Sequence, residues 1–540
     1  MSTTSGSEQR VFLRKASGLI RTAGLLDVLI YDIGIVSVGL GIGTMMYYGP
    51  AFYPGGSLIG GSIIAGIMMA LICLGMICWS VTLPRSGGIY VFGSRSLPPF
   101  LAFTLSLVEI TAWLFYCAIA AYWIVLLGVA PMFGLLGLLN NNQTLTDFSA
   151  WVVQPWPKFI IGSAILLVSA LILSGGMRRF LQSQKVVFSV AMFGSLLLIL
   201  VLALHSRDDF MATFNAMMQP LMNTPDAYNE IIKSAAANGW STANATWQTT
   251  VLVSNWAFLP LIGAAFSISI AGEIKSVEKS QVYGMLGAIV INVAIWIVTI
   301  SLANSVFGYD FIGSAVYNEL AVGGQGVAMP ASATITLLTG ILTQSWLITL
   351  LVSLGFIGWI WMWIPGMHTF AVRAVVAWAF DRVAPSQLAT ISQTRHTPSV
   401  AIWVCWVVTV IFMALFSFSS FFATIIILIE AAVLAWSIVL AAGIFFPYIR
   451  PHIYNKSPIA KHRILGLPIM TVACALGFLA SQFYFWVLFS DPVAAGHQTN
   501  QVIIVAGVFV IGILFFFFMK AYRKSQGVDV SLAFKEIPIE

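Results

Sequence analysis

LLDVLIYDIGIVSVGLGIGTMMYY, residues Leu25–Tyr48, is almost wholly apolar, and a helix needs ~20 such residues to cross a bilayer. It is also an imperfect helix former. Asp32 lies inside it, and Gly39, Gly41 and Gly43 follow at alternate positions. Each glycine costs a helix interior about 1 kcal/mol relative to alanine. The stretch therefore predicts a membrane span whose helix is interrupted near these glycines. Unwound backbone survives at membrane depth only against protein or a watery cavity. The N–H groups that open the second half-helix can then hold an anion such as a carboxylate. The same three glycines would equally let a neighbouring helix pack close, as small residues do in membranes.

The composition surrounds that span with others. Of 540 residues, 59% are hydrophobic and 8% charged, with a mean hydropathy of +0.94. Soluble domains carry about 25% charged residues, so an all-α polytopic membrane protein is expected. Apolar runs fall at about 25–48, 57–82, 97–128, 158–174, 184–204, 250–272, 281–307, 338–364, 399–418, 419–447, 466–489 and 500–521, twelve in all. The ninth and tenth touch, and local polarity places their break at SFSSF, Ser417–Phe421.

Lys and Arg collect on the cytoplasmic side of membrane proteins. With the N-terminus inside, all of the 25 Lys and Arg except Lys158, Arg207 and Lys233 fall there. Reversing the chain or removing a span destroys that asymmetry. Both termini are thus expected in the cytoplasm, in an integral protein of the cell membrane. The net charge of +6 then reports topology and not a nucleic-acid surface. The N-terminal stretch MSTTSGSEQRVFLRKASGLIR has no apolar core and is not expected to be a signal peptide.

The expected organisation is a cytoplasmic segment (1–24), five spans (25–204), an outward-facing loop (205–249), five more spans (250–447), two further spans (466–521) and a cytoplasmic tail (522–540). Two glycosylation sequons, Asn142-Gln-Thr144 and Asn244-Ala-Thr246, fall outside. Cys73, Cys78, Cys117, Cys405 and Cys474 all lie within apolar runs, which argues against a disulfide framework and against a metal site. No cofactor is expected.

Transporter folds often pair two discontinuous helices across an inverted repeat, and the sixth run supplies a partner for the first. It reads NWAFLPLIGAAFSISIAGEIKSVEKS (Asn255–Ser280). Pro260 removes a backbone donor and clashes with the preceding turn, and Gly263, Ala264 and Ala265 follow. A plain proline kink in a packed helix would leave the same pattern. The corresponding position of the two breaks, first and sixth of ten core spans, favours a functional pair.

Three motifs at span ends carry a family resemblance. PRSGGIYVFGSRSLPPFLAF (Pro84–Phe103) resembles the P-x-[AS]-G-G-x-Y-x-[FY]…G-P-F loop of the amino acid–polyamine–organocation superfamily. FLPLIG…AGEIKSVEKS is similar to its F-x-x-x-x-G-F-[DE]…A-E-E-x-K-N-P-E-K, and RAVVAWAFDRVAPSQL…TPSVAIW (Arg373–Trp403) to its S-R-x-x-[FY]-A-M-A-R-D-G-x-x-P…T-P-x-x-A. The resemblance covers about residues 20–520. It implies a five-plus-five inverted repeat with spans one and six broken, two extra C-terminal spans, and transport of an amino acid or related amine by alternating access, as symport or exchange. In that scheme the substrate carboxylate sits at Ser37, Gly39, Gly41, Gly43 and Thr44. The amine is held by carbonyls of Phe258–Gly263, around Pro260, with Ala264 next to them. This chain departs from the family in having Ala264 and Ala265 where Phe and an acid are common, which suggests a roomier or less polar pocket. It also lacks the mid-span-five lysine of some proton-coupled relatives: VVFSVAMFG (Val186–Gly194) has none, and Lys185 is expected to snorkel.

Asp32, Glu109 and Glu430 remain inside spans, where an ionisable group costs roughly 2.5–3.5 kcal/mol on insertion scales. A protonated or water-bridged carboxyl tying helices together explains Glu430 and serves equally for Glu109. Asp32, one to two turns from the glycines, is the leading candidate for a proton-coupling group, with Glu109 second, and protons are expected over sodium. Trp359, Trp361 and Trp363 before Pro365 are expected in an interfacial aromatic belt. A bulky residue at Gly41 is expected to remove binding and to spare folding. Other classes fit less well: a membrane enzyme would need clustered His, Asp or Cys at one face, and a channel would need a continuous polar stripe. A sensor of the same fold would differ only in moving nothing. The sequence leaves the oligomeric state open.

Overall fold

The computed structural model describes residues 19–320, 329, 332–419, 428–491, 499–528, 530 and 534. Among these, twelve helices are long and apolar enough to cross a membrane. In order they are Leu25–Phe52, Leu58–Thr82, Pro99–Leu139, Pro155–Ser174, Met177–Leu204, Trp247–Glu273, Val277–Leu320, Trp346–Phe380, Ser399–Phe418, Leu428–Ile449, Ile469–Ser490 and Val502–Ser525, called spans one to twelve below. Among the described residues, the only strands form a two-residue hairpin, Arg463–Ile464 with Leu467–Pro468. The expected break between the ninth and tenth runs lies partly outside the described residues; span nine ends at Phe418.

Spans three, seven and eight outrun their apolar runs. Spans three and seven continue through π-helical stretches, Ile124–Val129 and Asn304–Gly308, into helices that end at Leu139 and Leu320. The eighth run corrects more sharply. Its first residues form a separate short helix, Ile335–Thr343, closed by Gln344 in the left-handed region (φ 48°). Ser345 then caps a new helix by accepting the Ile348 N–H at 3.4 Å, and this helix carries Pro365 in its interior, as membrane helices tolerate. Trp359 and Trp363 therefore sit mid-helix and are buried, and Trp359 Nε1 donates to Ser195 Oγ at 2.8 Å. Of the three tryptophans expected at the interface, Trp359 and Trp363 are packing residues, and Trp361 is half-buried.

The packing partners repeat with a shift of five. The first half of span one packs on span seven as the first half of span six packs on span two. Span eight packs on span five as span three packs on span ten. Such exchange of partners is what an inverted five-plus-five repeat requires. Span eleven lies on spans two and ten, and span twelve on span three.

The long loop after span five folds rather than trails. Ser206 and Asp209 form a capping box for Arg207–Met222, and Asp226 caps Ala227–Ala237. An aromatic cluster of Phe210, Phe214, Tyr228, Phe307 and Phe311 fastens both helices to the end of span seven. Trp240 Nε1 donates to the Pro50 carbonyl at 2.9 Å, tying the loop to span one as well.

Candidate functional site

Span one is broken at Ser37, which has φ 62° and ψ 94° and joins Leu25–Val36 to Val38–Phe52. Such backbone costs a non-glycine residue of order 1–3 kcal/mol, and local hydrogen bonds hold it. The Ser37 N–H closes the first half on the Ile33 carbonyl at 2.9 Å. Its Oγ accepts the Leu40 N–H at 3.3 Å, and its carbonyl accepts the Gly41 N–H at 3.0 Å. The N–H groups of Val38 and Gly39 lie at the start of the second half-helix, and both residues are buried.

The interruption thus precedes the glycines that were expected to cause it. Gly39, Gly41 and Gly43 lie in regular helix and admit aromatic side chains. A Cβ at Gly41 would fall 2.0 Å from the Trp296 ring, and one at Gly39 would fall 2.9 Å from Trp359. Trp296 Nε1 donates to the Val38 carbonyl at 3.0 Å, so this tryptophan is fixed in place. Substitution of Gly41 by leucine is now expected to lower folded yield as well as binding. Comparing detergent-solubilised yield with wild type checks this.

Span six runs as α-helix from Trp247 to Leu261 and then as a tighter 3₁₀ helix from Ile262 to Glu273, kinked at Ile270 (φ −110°, ψ 16°). Pro260 stands just before the change. Gly263 touches the other broken span directly: a Cβ there would lie 2.5 Å from the carbonyl carbon and oxygen of Ile35. The two interrupted helices therefore cross backbone to backbone at Ile35 and Gly263.

Of the candidate binding residues, Gly43 and Thr44 line a small cavity (≈ 40 Å³) with Leu40, Tyr47, Tyr48 and Phe356. Gly39 lines a neighbouring one (≈ 20 Å³) with Ser195 and Trp359. Thr44 Oγ1 donates to the Leu40 carbonyl at 2.9 Å and lies 3.2 Å from the Trp256 carbonyl, bridging spans one and six. Ser37 and Gly41 are buried against protein, and Phe258, Pro260, Gly263 and Ala264 are packed and line neither cavity. The Phe258 ring stacks on Tyr484 with centroids 4.0 Å apart.

The acids are all buried. Asp32 accepts the Ser267 N–H at 3.1 Å and lies 2.8 Å from the Ser267 hydroxyl. Glu109 Oε1 accepts the Trp436 indole N–H at 2.5 Å, and its Oε2 has no partner among the described residues. Glu430 Oε2 likewise has none. Lys185 does more than snorkel: it is half-exposed and pairs with Asp27 at 2.6 Å, linking span five to span one.

The three family-like motifs meet at the Lys/Arg-rich face, where the sequence showed only loop charges. Arg373 grips Glu273 with two hydrogen bonds (2.6 and 3.2 Å), joining span eight to the end of span six. Arg95 pairs with Asp381 at 3.0 Å, and the Tyr90 hydroxyl donates to the same carboxylate at 3.0 Å. The Gly87 N–H donates to the Ser269 carbonyl at 3.0 Å, seating the Pro84–Phe103 loop on span six. Both ion pairs are buried, and the two cavities lined by Gly39, Gly43 and Thr44 lie along the other half of span one. No charge pattern within the motifs announces these pairs: Arg85 accompanies Arg95, Lys275 stands two residues from Glu273, and Arg382 adjoins Asp381.

No curated protein matches the chain. The amino acid permease family matches it over residues 25–516, from the first residue of span one into span twelve. Twelve spans, two of them broken and crossing, and three interlocked family motifs accompany that match. The chain belongs to the amino acid permease family of the amino acid–polyamine–organocation superfamily, and is a membrane transporter of amino acids or amines and not an enzyme.

Proposed function

We propose that the protein is a secondary carrier for a neutral amino acid with an apolar side chain, working by alternating access. The observation that carries this is the second half of span one. A helix N-terminus suits a carboxylate, and Gly39 near that terminus lines one of two adjoining cavities walled by Leu40, Leu338, Phe356 and the ring of Trp359. No charged side chain lines either cavity, so a side chain held there is apolar. The small pair Ala264–Ala265 agrees with that choice. The Lys/Arg-rich face is cytoplasmic on this reading, and the conformation is one closed to the cytoplasm by the Arg373–Glu273 and Arg95–Asp381 pairs.

A cationic amine is the second reading. Tyr47, Tyr48 and Trp123 line the cavity and could hold a cation over their rings, with Glu319, which accepts the Tyr47 hydroxyl at 2.7 Å, close by. A stabilisation screen of purified protein separates the two, because a ligand at 100 times its Kd adds about 2.7 kcal/mol. Leucine- or phenylalanine-like amino acids are expected to raise the unfolding temperature and to accumulate in proteoliposomes. Stabilisation by polyamines alone would transfer the site to the second reading. Binding without any flux would make the protein a sensor.

A further inference from the structure

Ser267 lies where the 3₁₀ half of span six crosses the first half of span one, and its hydroxyl meets two acceptors at once. Oγ is 2.8 Å from Asp32 Oδ2 and 2.8 Å from Gln281 Oε1 of span seven, and all three residues are fully buried. A hydroxyl carries one proton, so only one of these contacts can be filled from the serine. Turning the Gln281 amide over does not help. Its Nε2 donates to the Ser267 carbonyl at 3.1 Å, and the flip would set two oxygens against each other there. The Ser267 N–H is already directed to Asp32 Oδ1 at 3.1 Å. The missing hydrogen has to sit on Asp32.

We propose that Asp32 is protonated in this closed conformation and that Ser267 and Gln281 are the positioning residues that make closure depend on the proton. The Asp32 O–H donates to Ser267 Oγ, the Ser267 O–H donates to Gln281 Oε1, and Gln281 Nε2 returns to the Ser267 carbonyl. Spans one, six and seven are thereby tied in one hydrogen-bonded chain that is complete only with a proton aboard. Without it, two acceptors face one hydroxyl and the chain opens. When water reaches the site, the carboxyl proton passes to water as hydronium and a hydrated carboxylate remains.

The neighbouring charged and titratable groups are otherwise engaged or distant. Tyr31, on the same span, donates to the Gly366 carbonyl at 3.2 Å. Glu273 of span six is held by Arg373 of span eight, and Lys185 of span five by Asp27. Cys73 of span two is a buried thiol. On span seven, Glu278, Lys279 and Tyr283 are exposed. Among the described residues, only Ser267 supplies hydrogen bonds to the Asp32 carboxyl.

As a coupling device the chain rests on the carrier reading, but its test needs no substrate. Hydrogen exchange of the Ile262–Glu273 amides in the full-length protein, corrected for intrinsic rates, would be followed between about pH 5 and 9. Wild type is expected to lose protection as pH rises through one midpoint, by up to about tenfold per pH unit for one linked proton. Asp32→Asn, whose amide can donate to Ser267 Oγ in place of the carboxyl O–H, is expected to stay protected with no midpoint. Gln281→Met removes the second acceptor and frees the serine hydroxyl for a carboxylate, so its midpoint is expected to fall by at least about one pH unit or vanish. Equal loss of protection at every pH in Gln281→Met would mean a merely structural glutamine and overturn the proposal. Wild-type protection that is flat in pH would do the same, and would leave the carrier reading standing. A protein that titrates as described but moves no amino acid would overturn the carrier reading alone.

Discussion

Arg373→Ala is expected to destabilise the protein by about 3–5 kcal/mol, because it removes one partner of a buried pair and leaves the other charge uncompensated. Glu273 is 1% exposed and Arg373 5%, so water cannot easily replace the guanidinium. The loss would be read as a lower unfolding temperature in detergent and as lost uptake in proteoliposomes. Replacing both charges at once, Arg373→Met with Glu273→Met, is expected to recover most of the stability, since a hydrophobic substitute for an ion pair is often neutral. It should not recover uptake in full, because the latch between spans six and eight is then gone. An unfolding temperature unchanged in Arg373→Ala would show that the pair does not hold this face shut.

Gly263→Ala is the second large effect. Inserting a methyl into a packed core typically costs 1–3 kcal/mol through shifted neighbours, and here the neighbours are poorly able to shift. The added Cβ falls 2.5 Å from the Ile35 carbonyl carbon and oxygen. Both are backbone atoms, so no rotamer relieves the clash, and the two broken spans must move apart. Uptake is expected to fall at least tenfold with a lower unfolding temperature, a tenfold change corresponding to about 1.4 kcal/mol. Gly507→Ala in span twelve, where a Cβ meets nothing within 4 Å, is the matched comparison and should be neutral or slightly stabilising, since alanine is the better helix former. Wild-type uptake by Gly263→Ala would mean that the crossing of spans one and six is not part of the transport path.

What was legible from residues alone is what a bilayer dictates. Hydrocarbon admits only long apolar helices with satisfied backbones, so run length and Lys/Arg placement show twelve spans before any contact is known. Pro260 likewise announced that span six is irregular, because proline acts on local backbone, whereas the Gly39–Gly43 run pointed near the break in span one without forming it. Local sequence does not carry where partners end up across the bundle. Ser37 is the break because its own caps and Trp296, 258 positions further on and bonded to Val38, settle the helix after it. Pro365 does not end span eight, whose Trp359 and Trp363 are buried against other spans and not set at an interface. Arg95, Glu273, Arg373 and Asp381 read one by one as scattered charges, yet they pair over 286 and 100 positions of chain. The same distance hid Ser267 and Gln281 from any reading of Asp32. Membrane insertion depends on one segment at a time and is written in one segment. Burial of charge depends on what faces it, and packing of the spans alone supplies that.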